Sequence, residues 1–359
     1  MSALSTSLAI ILTRVRGRRL AHSIANATPA ITPVAVYFAD APQSLYQLRR
    51  WYRVLEALNT EHPTSIITSD PSTYAAVRLE TTVDVTFASG APELARVLDR
   101  QQVRVVLYPN HNALNFRVLR FPAPVHVFIG HGESGKESSA SRQLKAYDLD
   151  FVADADAIDQ LRGIRGYDAE ASAVVIGSPW LGFLGAPPAS WNPDDRTVVL
   201  YAPTWEGDRP SMDYSSVESL GEQVVSAVLG SPHLRLIYRP HPWLGRVRPA
   251  SVATDARLRR AIATANRGDV VDTGEYGWAL DAADVCVADV SSLVHDFRAL
   301  GKPVLVTDRL KATDVAGLRS AVEQALAAGA STAVSPSTSM EGLLTGIDAA
   351  LRLGTDPTL

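Results

Sequence analysis

Short apolar runs alternate with helical periodicity along almost the whole chain. Short, mostly apolar runs of three to six residues are expected as strands at Val34–Phe38, Ser65–Thr68, Val103–Tyr108, Val125–Ile129, Phe151–Ala153 and Val174–Ile176. Between them lie patterns with apolar positions every three to four residues, for example Ser44–Leu58 and Ala91–Leu98, which predict helices. After a stretch rich in Pro and turn formers, Phe183–Arg196, the alternation resumes. Its strands are expected at Thr197–Tyr201, Leu234–Tyr238, Val270–Asp272, Val285–Ala288 and Val304–Thr307. Its helices are expected at Ser216–Leu229, Asp255–Ala265, Ser291–Leu300 and Gly317–Ala327, with a final amphipathic helix at Glu341–Leu351.

Strand–helix alternation of this kind builds parallel, doubly wound sheets. The expected fold class is therefore α/β of GT-B type, with two Rossmann-like domains facing across a cleft. The expected boundaries are an N-terminal Rossmann-like domain over 1–185, a linker over 186–196 and a C-terminal Rossmann-like domain over 197–359. A chain of 359 residues, 46% hydrophobic, has the length for two such domains.

Charge and cysteine usage narrow the function. The formal net charge is −4, so nothing global calls for a nucleic-acid partner. The single Cys286, in an apolar run, forms no intrachain disulfide and fits a reducing, cytoplasmic setting. The segment Leu8–Leu20 is apolar and then basic. It is too short to span a membrane, and the order is wrong for a signal peptide. Two readings stay open: an ordinary first helix with a basic face, or a peripheral contact of Arg14, Arg16, Arg18 and Arg19 with the inner face of the cell membrane.

Candidate chemistry sits where the strands should end, which is where open α/β sheets bind ligands. Ser291 and Ser292 follow an apolar strand and open a helix, so backbone N–H groups and the helix dipole would favour a phosphate there. One serine could serve simply as the cap, and two exceed that need. Asp296 lies about one turn into the same helix, and Asp289, at the strand end, could hold the turn without touching ligand. In Arg239-Pro-His-Pro, the prolines fix the chain direction around His241, which could donate to a diphosphate oxygen while Arg239 adds a cation. Thr204, in Tyr201-Ala-Pro-Thr-Trp205, offers a hydroxyl at another strand end.

In the first domain, His131 is flanked by glycines in Gly130-His-Gly and is a candidate general base on an attacking hydroxyl. Lys136, Ser138 and Ser139 add anion-binding capacity beside it, and His111 is a second loop histidine that could reach the acceptor. No HExxH, no Cys/His cluster, no GxSxG elbow and no Walker A motif occurs, so neither metal nor cofactor is expected. Asp154 and Asp156 are read as starting a helix.

The set of His131-Gly, Tyr201-Ala-Pro-Thr-Trp205, Arg239-Pro-His-Pro, Asp289-Val-Ser-Ser with Asp296-Phe, and Lys302-Pro-Val resembles the CDP-glycerol glycerophosphotransferase family over roughly residues 125–310. The resemblance implies a GT-B fold, with an acceptor-binding domain over 1–185 and a nucleotide-donor-binding domain over 197–359, and transfer of glycerol phosphate or ribitol phosphate from a CDP-activated donor. The acceptor would be a hydroxyl of a lipid-linked or glycan molecule, CMP would be released, and the setting would be cell-wall or capsule polymer synthesis. It further implies that His131 is the base, that His241 lies near the donor phosphates, that Ser291 and Ser292 hold the diphosphate, and that Asp296 is the acidic residue after them. Three positions depart from the family pattern: Glu133, Glu206 and Val290. The two glutamates add negative charge where an anionic donor would pass. Two alternatives stand beside this reading. One is a glycosyltransferase or sugar-nucleotide epimerase using a UDP- or GDP-sugar, and the other a non-catalytic binder on the same fold.

Overall fold

The computed structural model describes residues 30–132, 141–272, 276–307, 315–328 and 338–354. The segment Leu8–Leu20 and residues Glu133, Lys136, Ser138 and Ser139 lie outside them. Two compact units emerge. One takes the chain up to His131, Ser141–Trp180 and the chain from Ser339 onward; Leu181–Thr338 is the body of the other.

The first unit is built on strands β1 (Val34–Phe38), β2 (Thr64–Thr68), β3 (Asp84–Phe87), β4 (Val105–Tyr108), β5 (Val125–Phe128), β6 (Leu149–Val152) and β7 (Ala173–Val175). They pair in the order β3-β2-β1-β4-β5-β6-β7, parallel throughout. Every residue of β1 is buried, because helices cover both faces. Val34, Val36 and Phe38 face one core with Trp51, Leu343 and Ile347, while Ala35 and Tyr37 face the other with Leu94 and Val118. This alternation follows from the period-2 geometry of a strand. Each large aliphatic side chain so buried contributes about 1.5–3 kcal/mol.

The helix Glu341–Leu353 belongs to this unit and not to the second domain expected over 197–359. Leu343, Ile347 and Ala350, spaced four and three apart, put one apolar face into the first core. Gly342 and Gly346 permit the approach. A Cβ on Gly342 would lie 2.6 Å from the Ile176 carbonyl oxygen, and one on Gly346 2.9 Å from the Phe151 ring.

The second unit is built on β8 (Thr197–Ala202), β9 (Leu234–Tyr238), β10 (Gly268–Val270), β11 (Val285–Ala288) and β12 (Val304–Val306), in the order β10-β9-β8-β11-β12 and again parallel. Helices Val217–Leu229, Pro249–Ala265 and Val315–Ala328 lie along it. Part of the expected linker is held firmly by this unit. The Arg235 guanidinium stacks 4.0 Å over the Trp191 ring and donates to the Asn192 carbonyl, and Trp191 packs against Trp278. Among the described residues, no helix is long and apolar enough to cross a membrane.

Candidate functional site

In the second unit the strand order reverses between β8 and β11, so the loops after these strands and after neighbouring β9 form the topological switch point. Asp289, fully buried directly after β11, organises it. Its Oδ2 accepts the backbone N–H of Thr204 at 2.7 Å and of Ser216 at 3.0 Å, and its Oδ1 accepts the Thr307 hydroxyl at 2.5 Å. Burial pushes the carboxyl up, and these donors act in the opposite sense. Asp289 therefore holds the turn, as one reading of the sequence has it. Thr204 is buried in the loop that Asp289 fixes, and its carbonyl accepts the Ser215 hydroxyl at 2.9 Å.

The Arg239-Pro-His-Pro phrase extends β9 beyond its last residue. The Arg239 N–H donates to the Tyr201 carbonyl at 2.9 Å and the His241 N–H to the Pro203 carbonyl at 3.1 Å. The prolines occupy the alternate positions, where no donor is used. Arg239 is 8% exposed, and its guanidinium lies 4.5 Å from the Tyr276 ring centroid. Its Nη1 donates to the Pro240 carbonyl, and its Nε is buried without a hydrogen-bond partner among the described residues. Burial lowers its pKa, yet a guanidinium stays charged. The Asp272 carboxylate, paired with Arg259, acts on Arg239 only through space, so the guanidinium keeps donors to offer an anion.

The environment of His241 selects its tautomer. The Trp243 N–H donates to Nδ1 at 3.1 Å, so in the neutral ring the proton is on Nε2, which is a donor. Trp205 stacks on the ring at 6.2 Å and meets Trp243 edge-on at 5.0 Å. Glu206, 3% exposed, turns its carboxylate to the Gly245 N–H at 2.9 Å. Its charge is thus occupied in fixing the turn that follows His241. Gly245 needs its lack of a side chain: φ is +79°, and a Cβ would lie 2.3 Å from Val252 Cγ2.

Ser291 is the N-cap residue of the helix Ser292–Ala299, in extended conformation, but its side chain makes no capping bond. Its hydroxyl is buried with no partner among the described residues. Ser292 opens the helix, and Asp296 is buried within it. The Lys302 ammonium donates to the carbonyls of Leu280, Asp281 and Ala283, which fixes the end of the helix Gly277–Ala282.

The first unit carries the two other histidines at the ends of adjacent strands. His131 follows β5 between Gly130 (φ +56°) and Gly132 (φ +118°), conformations that favour glycine. A carbonyl can only accept, so the 3.0 Å contact with the Pro109 oxygen places the proton on Nδ1 and the lone pair of the neutral ring on Nε2. The Trp51 indole N–H holds the Gly130 carbonyl at 2.7 Å. His111, after β4, stacks on Phe128 at 4.2 Å, and both its ring nitrogens are buried without a partner among the described residues. Burial, with the His131 charge second, pushes it down to about 4. His131 and His111 are thus brought together, as are Thr204, Arg239, His241, Ser291, Ser292 and Asp296 on their own sheet. Lys136 lies outside the described residues. Asp154 accepts from the Ala157 N–H at 2.9 Å and caps a helix, as its position predicts.

Sequence reasoning passes over Tyr276, the platform of Arg239, and over Asp40, Asn110 and Asn112 beside His111. The doubled asparagine of Pro109-Asn-His-Asn112, directly after a strand, is the signal for the last two. Tyr276 gives none, since an aromatic before an amphipathic helix is commonplace.

Solved structures of similar fold include UDP-GlcNAc 2-epimerase from Neisseria meningitidis bound to UDP-GlcNAc, with a TM-score of 0.60 and 13% identity over 89% of this chain and 99% of that one. The UDP-GlcNAc 2-epimerase from Methanocaldococcus jannaschii gives 0.56 and 14% over 88% and 99%. The wall teichoic acid polymerase TagF with CDPG gives 0.57 and 11% over 97% and 96%. At such identities the likeness establishes the fold, which is of GT-B type with Rossmann-like parallel sheets. In sequence, no curated protein matches the chain. The motif resemblance has a direct counterpart: residues 191–309, which include Thr204, Arg239, His241, Ser291, Ser292 and Asp296, match the family model described as CDP-Glycerol:Poly(glycerophosphate) glycerophosphotransferase.

Proposed function

We propose that the protein transfers a polyol phosphate, glycerol phosphate or ribitol phosphate, from a CDP-activated donor to a hydroxyl of a lipid-linked or glycan acceptor. The observation that carries this is the set of groups at the ends of β9 and β11: a buried Arg239 whose Nε has no hydrogen-bond partner among the described residues and a Ser291 hydroxyl that does not cap its helix. Both suit a diphosphate, and both lie in the segment that matches the family.

In the reaction, the acceptor oxygen forms a bond to the phosphorus bearing the polyol, and the bond from that phosphorus to the CMP oxygen breaks. The hydroxyl proton passes to the Nε2 lone pair of His131. The Nε2–H of His241, with Arg239 and the hydroxyls of Ser291 and Ser292, stabilises charge on the phosphates and on departing CMP. The two histidines present Nε2 in opposite states, an acceptor on His131 and a donor on His241, as base and electrophilic roles require. An acceptor carried on lipid would place the reaction at the cytoplasmic face of the membrane.

CMP release from CDP-glycerol and CDP-ribitol tests the reading, with His131→Gln and His241→Gln each expected to lose about 10²–10⁴ in turnover. The likeness to UDP-GlcNAc 2-epimerases favours a second reading, sugar-nucleotide chemistry at carbon. Turnover of UDP-GlcNAc with no CMP formed from either CDP-polyol would establish that reading and end ours. Nucleotide binding without turnover, unchanged in both variants, would leave only a binder.

A further inference from the structure

In the first unit, too, the strand order reverses, here between β1 and β4. Asp40 lies just beyond β1, and Asn110, His111 and Asn112 just beyond β4, so they meet at the position where such sheets bind ligands. Asn110 is 3% exposed. Its amide donates to Asp40 Oδ2 at 2.7 Å and to Gln47 Oε1 at 2.6 Å, and Asn112 donates to the same carboxylate oxygen at 2.6 Å. A carboxylate oxygen accepts from amides, so the orientation of Asn110 is fixed and both its N–H bonds are in use. Its Oδ1 is left buried with no donor among the described residues, as are both nitrogens of His111 next to it. Native interiors rarely leave such groups unmet. The network continues to the proposed base: Gln47 Nε2 donates to the Tyr46 hydroxyl at 3.3 Å, and the Tyr46 ring meets His131 edge-on at 6.0 Å.

The chemistry of the unmet groups specifies a ligand. Asn110 Oδ1 requires a donor. A neutral imidazole requires one acceptor, for its N–H, and one donor, for its lone pair. A phosphate dianion or a carboxylate has no proton to give Oδ1, and the Asp40 charge repels it. An ammonium group satisfies Oδ1 but offers nothing to the imidazole N–H. Hydroxyl groups both donate and accept, and two on adjacent carbons supply the full set without charge.

We infer that Asp40, Asn110 and His111 form a binding site for a neutral vicinal diol, the hydroxyl-bearing end of a polyol or sugar. Identifying that diol with the acceptor rests on the transfer reaction proposed above. On that basis, the first unit recognises the acceptor through its hydroxyls and not through a phosphate.

Saturation-transfer NMR on the full chain, with glycerol and with glycerol 3-phosphate as probes, tests the site directly. Wild type is expected to bind glycerol, and Asn110→Leu and His111→Phe are each expected to bind it about tenfold or more weakly. Three results overturn the inference: glycerol binding unchanged in a folded variant, glycerol binding absent from wild type, or glycerol 3-phosphate held more tightly than glycerol. If Asn110→Leu shows no cooperative thermal transition, His111→Phe decides. The two proposals fail separately. Glycerol binding that depends on Asn110 without CMP release refutes the transfer reaction and keeps the site, while CMP release with variants that bind glycerol normally does the reverse.

Discussion

Ser291→Ala separates a cap from a ligand group, because the two roles predict opposite results. Losing a serine N-cap ordinarily costs about 0.5–2 kcal/mol. Here the side chain makes no capping bond, and its hydroxyl is buried without a partner among the described residues. Leaving a buried hydroxyl unmet costs about 1–3 kcal/mol. The alanine variant, free of nucleotide, is therefore expected to unfold in urea at the same midpoint as wild type or slightly above it. With ligand the sign reverses. A hydrogen bond to a charged phosphate oxygen contributes about 1.5–3 kcal/mol, so CDP-glycerol should bind about 10- to 150-fold more weakly. The two measurements combine. At ligand 100-fold above the wild-type Kd, binding adds about 2.7 kcal/mol of stability, and a variant about 50-fold weaker would gain only about 0.6 kcal/mol. Urea unfolding with and without CDP-glycerol, and calorimetric titration, read all of these. A nucleotide-free variant destabilised by about 1 kcal/mol or more, with affinity intact, would show that Ser291 is a cap and refute the argument.

Three further outcomes follow from buried groups. Asp289→Ala removes the acceptor of two backbone amides and one hydroxyl, at about 1–3 kcal/mol each; a urea midpoint barely lowered would contradict its organising role. The folded His111 ring takes its proton only near pH 4, whereas an unfolded histidine does so near 6.5, so the unfolded chain binds more protons in between. Stability should fall by on the order of 3 kcal/mol as pH drops through that window, and His111→Phe should flatten the profile. Ile347→Ala, at a fully buried position of the C-terminal helix, should cost the first unit about 2–5 kcal/mol in thermal or urea unfolding.

The sequence made the central strands plain and obscured the periphery. Val34–Phe38 and Val285–Ala288 coincide with their apolar runs, because a parallel strand covered on both faces is apolar throughout, and Leu234–Tyr238 departs from this only at Arg235, which reaches Trp191. β3 shows no such run: Asp84–Phe87 is an edge strand with only Phe87 buried. The periodic stretch Ser44–Leu58 forms two helices, Leu45–Arg49 and Tyr52–Glu61, and the break falls beside Trp51, whose indole is drawn to the Gly130 carbonyl 79 positions away. The site divides in the same way. Arg239, His241, Ser291 and Ser292 were legible because each follows an apolar strand in a short phrase. The tautomers of the histidines, the inward turn of Glu206 and the fixed amide of Asn110 depend on partners that only folding brings near. Asp40, for instance, lies 70 residues from Asn110. The last helix announced its apolar face but not its destination, since any exposed sheet face would satisfy the same pattern.

The return of that helix to the first sheet makes the unit discontinuous, and this sets an order on biosynthesis. A ribosome that has made residues 30–180 has made all seven strands of the first sheet but not the helix that packs over β4, β5 and β7. The second unit emerges whole before the first can close, which reverses the usual N-terminal-first sequence of domain folding. Until residues 341–353 arrive, the part of one face of the first sheet formed by β4, β5 and β7 presents apolar surface to chaperones and proteases. Stalled or C-terminally clipped chains should therefore be lost through the first unit, even where the second unit is intact.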